Sequence, residues 1–191
     1  MERNITVVKI GGNVIDNEAA LQRFVADFAA LPSPKILIHG GGKLATRLAE
    51  RLEVPTTMIG GRRVTDAATI EIVTMVYAGG VNKRIVAALQ AAGCNALGLS
   101  GADANMIPAV RRSPVPVDYG FVGDIDATKI NVSMLGVMLD AGVTPVFCAI
   151  THDGEGTLLN SNADSVASAV AVAASSLAPT DLVICFEKQG V

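Results

Sequence analysis

An α/β fold, a three-layer αβα sandwich around a mainly parallel central sheet, is predicted by three features of this 191-residue chain. Short apolar runs alternate with helical patterns along its length, giving repeated β-α-β order with right-handed crossovers. The runs are continuously apolar instead of alternating, as strands are when helices cover both faces of a sheet. Half of the residues are hydrophobic and 17% are charged, enough for a large core and unlike a disordered chain.

The elements follow in order. Residues 5–10 (ITVVKI) form the first strand. From Asn17, Leu21, Phe24, Val25, Phe28 and Leu31 fall on one helical face, and Pro32 and Pro34 stop the helix. Residues 35–39 (KILIH) are a second strand, and a helix from Lys43 carries Leu44, Leu48 and Leu52 before Pro55. Thr65 or Asp66 caps a longer helix through Ile70, Val73 and Tyr77. Gly79-Gly80 is expected to interrupt it before 83–92 resumes. Strands at 95–99, 144–149 and 181–186 frame helices at 131–141, ended by Gly142, and at 165–178. The stretch 109–124, with Pro114, Pro116, Gly120 and Gly123, reads as a hairpin excursion and a lid over a site. There is no internal repeat and no low-complexity linker.

Composition excludes several classes of function. Net charge is −3 and no basic stripe appears, which argues against a nucleic-acid partner. Cys94, Cys148 and Cys185 are odd in number and lack metal-ligand spacing, so they read as small apolar residues in a reduced cytosol. Met1 to Asn4 run straight into a strand, without a signal peptide. The apolar run 166–178 is short for a bilayer and is interrupted by Ser168, Ser175 and Ser176. A cytoplasmic, soluble protein without a membrane partner is expected.

Four glycine-rich or polar segments carry candidate chemistry. Lys9-Ile10-Gly11-Gly12 ends the first strand, where the ammonium emerges at the carboxyl edge of the sheet beside bare backbone N–H groups. An ordinary turn with a snorkelling lysine has the same pattern. His39-Gly40-Gly41-Gly42 precedes a helix, and a helix N-terminus with glycine amides binds phosphate. This is neither a Walker loop nor G-x-G-x-x-G, although a plain tight turn remains open. Gly60-Gly61-Arg62-Arg63-Val64-Thr65-Asp66 offers arginine to a carboxylate, or simply a solvated loop. Asn160-Ser161-Asn162-Ala163-Asp164 opens a helix, where amides can bind ligand or only cap, and Asp164 can orient an ammonium.

In that order, with VNK at 81–83, GLSGAD at 98–103 and GFVGD at 120–124, these segments resemble the amino acid kinase family. GRRVTD with NSNAD is most similar to its acetylglutamate kinases. The resemblance implies an ATP-dependent transfer to the γ-carboxylate of N-acetylglutamate or N-succinylglutamate in arginine biosynthesis, with Mg²⁺ arriving on ATP. It implies Lys9 and Asp164 as catalytic residues. Gly41, Gly42, Arg63 and Asn160 would bind substrate, and Gly11, Gly12 and Gly41 the nucleotide phosphates. Arg111 or Arg112 would meet the extra carboxylate of a succinyl group.

The same resemblance sets expectations about extent. Relatives continue for several dozen residues that carry much of the adenine pocket and a second catalytic lysine. Residues 1–178 would then be the acyl-amino-acid lobe and 179–191 the start of a truncated nucleotide lobe, with weak ATP binding. Relatives carry Asp at the position of Glu187, and Lys188 stands poorly for the missing lysine. The first strand begins within a few residues of Met1, so a homodimer without arginine feedback is expected. A sister kinase with another acceptor, and a non-catalytic acidic-ligand module, are the alternative readings.

Overall fold

The computed structural model describes residues 4–186; Met1 to Arg3, Glu187 and Lys188 lie outside the described residues. Strand β1 (Ile5–Ile10) leads through α1 (Gly12–Asp16) and α2 (Glu18–Ala30) to β2 (Lys35–His39). After α3 (Gly42–Arg51) come a small hairpin, β3 (Met58–Ile59) with β4 (Arg62–Arg63), and α4 (Ala67–Thr74). A π-helical segment, Met75–Val81, carries α4 without a break into α5 (Asn82–Ala91). Then follow β5 (Ala96–Leu99), the hairpin β6 (Ala109–Arg111) and β7 (Gly123–Ile125), and α6 (Val132–Asp140). Strand β8 (Thr144–Cys148), the hairpin β9 (Ile150–His152) and β10 (Leu158–Asn160), α7 (Ala163–Ala174) and β11 (Thr180–Cys185) complete the described chain.

The central sheet has the order β11-β1-β2-β8-β5, and every pairing is parallel. Each residue of β2 and β8 is buried, which is why both read as unbroken apolar runs. Helix α7 packs on β1, β2 and β11, and α6 on β8. Helix α5 covers β5 and β8 and lies against α2, so helices sandwich the sheet. The buried lysine of β2, Lys35, donates at 2.7 Å to both Ala29 O and Leu31 O, closing the last turn of α2.

Register matters for function. Ile10 is paired with Cys185 and with His39, and His39 with Cys148. Four strands therefore end level at the carboxyl edge, and the loops after β1 and β2 emerge side by side there.

One expectation needs correction. Gly79-Gly80 does not interrupt the helix: the chain widens into the π-helical segment, with both glycines exposed and Val76, Tyr77 and Val81 buried. Two missing side chains cost about 1 kcal/mol each in helix propensity. Burying three large apolar side chains at about 1.5–3 kcal/mol each outweighs that. The continuous helix Ala67–Ala91 is, by length and composition, also apolar enough to cross a membrane. Here Ile72, Val73, Val76, Ile85 and Leu89 are part of the protein core. Cys94 and Cys148 are free and buried, and burial pushes the Cys148 thiol up to about 12.

Candidate active site

At the level strand ends lies an open cleft of about 280 Å³, lined by Lys9, Gly11, Gly12, Gly40, Gly41, Gly42, Arg63, Asn160 and Asp164. The candidate catalytic, substrate and phosphate residues read from the sequence therefore line the same cleft, whereas Arg111 and Arg112 do not. A cleft of this size suits a small metabolite.

Lys9 leaves β1 near its end, and its side chain is only 13% exposed. Its Nζ stands 2.7 Å from Asp164 Oδ1. Asp164 belongs to the first turn of α7, whose N-cap is Asn162: the Asn162 Oδ1 accepts from the N–H groups of Asp164 and Ser165. Asn162 caps the helix, and both it and Asn160 line the cleft, where Asn160 donates its amide to Thr65 Oγ1 at 3.1 Å.

Arg63 is carried by the β3–β4 hairpin and tied to the triple-glycine loop after β2. Its Nη2 donates to Gly42 O (3.1 Å) and Thr46 Oγ1 (2.8 Å), and its Nη1 to Thr56 Oγ1 (3.3 Å). These bonds hold a planar cation at the cleft wall in a fixed orientation. The Tyr77 ring packs on Gly41 from the π-helical segment. Burial pushes its phenol up, partly offset by the Arg63 guanidinium beside it. Tyr77, Thr46 and Thr56 carried no local sequence signal, since each joins the site only through folding.

Three motifs of the sequence meet at one corner. The Thr65 N–H donates to Tyr119 O, Phe121 N–H donates to Thr65 O, and Asn160 N–H donates to Phe121 O. The hairpin excursion thereby braces GRRVTD against NSNAD. The two arginines of that excursion stay out of the cleft. Arg112 Nε donates to both Asp124 oxygens at 3.1 Å, and Arg111 donates to Gly120 O and lies over the Phe121 ring. Their guanidinium groups are committed within the hairpin, whereas Arg62 lines the cleft. The Arg112 guanidinium holds the Asp124 carboxyl below its usual range.

His39, at the end of β2, is wholly buried. Burial pushes its pKa from 6.5 down to about 4, against the bond to Gly40, with the Lys83 cation adding to the fall. The unfolded chain therefore binds this proton first as pH drops. Stability is complete above about pH 6.5 and declines toward pH 4, by about 3 kcal/mol from this group. Urea unfolding of the wild type and His39→Asn between pH 7.5 and 4.5 checks this. The variant should lose less stability over that window, and equal losses would refute the assignment.

Among the described residues no three metal-ligating side chains stand together. Asp164 is the carboxylate in the cleft wall, and Lys9 engages it. The described cleft wall thus offers no set of carboxylates for a resident divalent cation.

Two relatives named acetylglutamate kinase, from Phocaeicola vulgatus and Bacteroides thetaiotaomicron, are 50% and 51% identical over 191 residues, all of this chain and 74% of each of theirs. The N-acetylglutamate synthase of Neisseria gonorrhoeae, solved with coenzyme A and N-acetyl-glutamate, matches with a TM-score of 0.82. It is 26% identical over 98% of this chain and 42% of that one. The profile of the amino acid kinase family matches residues 4–191, and with half-identical relatives along its whole length, this chain belongs to that family.

Proposed function

We propose that this chain phosphorylates the γ-carboxylate of N-acetylglutamate with ATP, a step of arginine biosynthesis. The observation that carries this reading is the meeting, in one cleft, of the Lys9–Asp164 pair with two glycine loops and the Arg63–Asn160 corner. The γ-carboxylate oxygen forms a bond to the γ-phosphorus, the bond from that phosphorus to the β,γ-bridging oxygen breaks, and ADP leaves with its electrons. The acceptor carboxylate is already ionised at neutral pH, so no general base is needed. Catalysis then consists of positioning and of stabilising charge on the transferring group. Lys9 neutralises that charge, and Asp164 keeps the ammonium aimed at it. Gly11, Gly12 and Gly41 donate backbone N–H bonds to phosphates, and Arg63 with Asn160 holds the α-carboxylate end.

A succinyl acceptor is the second reading. With Arg111 and Arg112 committed to the hairpin, its extra carboxylate would face Arg62 in the cleft wall. The ratio of kcat/KM for the two acyl groups decides between them. A cytoplasmic homodimer goes with this function. So does a division into an acceptor lobe over 1–178 and a nucleotide lobe from 179, although β11 is hydrogen-bonded to β1 in one sheet.

Hydroxamate formation from MgATP, N-acetylglutamate and hydroxylamine tests the proposal. Turnover is expected, while binding of the acceptor without turnover would favour a ligand-binding module. Arg63→Ala should raise the KM for N-acetylglutamate by about ten- to a hundredfold, the worth of a hydrogen bond to a charged group, and change the KM for ATP much less. Arg63→Lys should recover only part, because an ammonium cannot reproduce the planar fork. Steady-state kinetics with each substrate varied in turn measures both effects.

A further inference from the structure

The VNK and GLSGAD motifs have no place in the chemistry above, yet they converge behind the triple glycine. Lys83 Nζ donates to Gly98 O at 2.9 Å and to Asn82 Oδ1 at 3.1 Å. Asn82, buried within α5, donates its amide to Val146 O at 2.9 Å and lies 3.0 Å from His39 Nε2. His39 Nδ1 lies 2.8 Å from Gly40 O.

Every proton in this chain is assigned by its two ends. Gly40 O only accepts, so His39 Nδ1 carries the hydrogen and a neutral ring leaves Nε2 as an acceptor. Lys83 only donates, so the Asn82 oxygen faces it and both amide hydrogens point to Val146 O and His39 Nε2. Gly98 leaves room for this: a Cβ there would overlap Asn82 Oδ1 and stand 2.8 Å from Lys83 Nζ.

We propose that Lys83, Asn82 and His39 form a positioning chain that locks the Gly40–Gly41 peptide with its N–H turned toward the phosphoryl group. This rests on the kinase reading above. In a trans peptide the C=O and the next N–H point in opposite directions. Tying Gly40 O to the buried imidazole sends the Gly41 N–H the other way, toward the cleft that these glycines line. Consecutive glycines flip easily. A flipped peptide would present a carbonyl oxygen to the phosphates, replacing a donor by a repelling dipole. The triple glycine permits close approach, and the buried chain supplies the rigidity that glycine lacks. His39 is kept neutral in this arrangement by its burial and by the Lys83 cation.

The whole chain, labelled with ¹⁵N-histidine, should show the neutral Nδ1–H ring of His39, unchanged from about pH 5.5 to 8.5. An Nε2–H ring or an imidazolium in that range overturns the proposal. Two variants then separate orientation from packing. His39→Asn retains a donor where Nδ1 stood, and His39→Gln moves the amide toward Asn82 and loses that donor. Titration with MgATP should shift the Gly41 amide signal in the wild type and in His39→Asn. His39→Gln should bind MgATP about tenfold more weakly, the effect of one misplaced hydrogen bond. Its KM for N-acetylglutamate should change less than its KM for ATP. Absence of the Gly41 shift in the wild type, or equal ATP binding by the two variants, overturns the proposal. Failure of the wild type to form hydroxamate counts against the kinase reading alone, since ring signals and ATP titration decide this inference without turnover.

Discussion

Lys9→Met is expected to lower kcat/KM by about a thousandfold while leaving the fold intact. The transferring phosphoryl spreads negative charge over its oxygens, and a fixed cation in a partly closed site stabilises that charge without reorganising. Losing one such donor typically costs about a hundred- to a thousandfold in kcat. The loss falls at the upper end of that range here because Asp164, 2.7 Å from the missing ammonium, would remain in the cleft as an uncompensated carboxylate facing the phosphates. Methionine keeps the length and apolar body of the side chain, which is mostly buried, so thermal stability should hardly change. Asp164→Asn should be milder, because it removes the orienting charge and leaves the cation. Hydroxamate assays and thermal melts of both variants give the comparison. A Lys9→Met protein that keeps more than a tenth of wild-type turnover would remove Lys9 from the reaction.

The parts of the molecule that were legible in the sequence are those set by local pattern. All five strands of the sheet showed as apolar runs, and in β2 and β8 burial of every residue leaves no polar alternate position. Asn17, Asp66 and Asn131 cap helices where the pattern places them, since a short polar side chain before an apolar period has few other uses. The glycine loops were legible because each follows a strand. Contacts between distant segments were not. His39 and Asn82 are 43 residues apart, and nothing in either neighbourhood announces the other. The β3–β4 hairpin has two exposed residues in its first strand and too short a period to detect. Gly79-Gly80 misled for a related reason: local propensity argued for a break, and long-range burial of Tyr77 and Val81 decided otherwise. The arginines of the hairpin were misassigned because a cation in sequence carries no indication of its counter-charge, which for Arg112 is Asp124.

The corner where three motifs meet supplies the second large effect. Gly120→Ala is expected to destabilise the protein by about 4 kcal/mol, the sum of two penalties. Gly120 has φ +73°, where a side chain strains the backbone. A Cβ there would also overlap Thr65 O and stand 2.9 Å from the Thr65 carbonyl carbon, both backbone atoms that no rotamer change can move. Thr65 is fully buried and bonded on both sides of Gly120, to Tyr119 O and from Phe121 N, so the strand pairing itself must open. For a chain of this size the melting temperature should fall by about 10 °C. Displacing Thr65 also releases Asn160, whose amide it holds, and shifts the segment that carries Arg63. Affinity for N-acetylglutamate should therefore fall even in the fraction that stays folded, with ATP binding at the β1 and β2 loops less affected. Gly154→Ala is the control: Gly154 has φ +81° but nothing within 4 Å of an added Cβ, so it carries the backbone penalty without the clash. If the two variants lose equal stability, backbone strain alone accounts for Gly120. A larger loss at Gly120, together with weakened acceptor binding, is what a brace between GRRVTD, GFVGD and NSNAD requires.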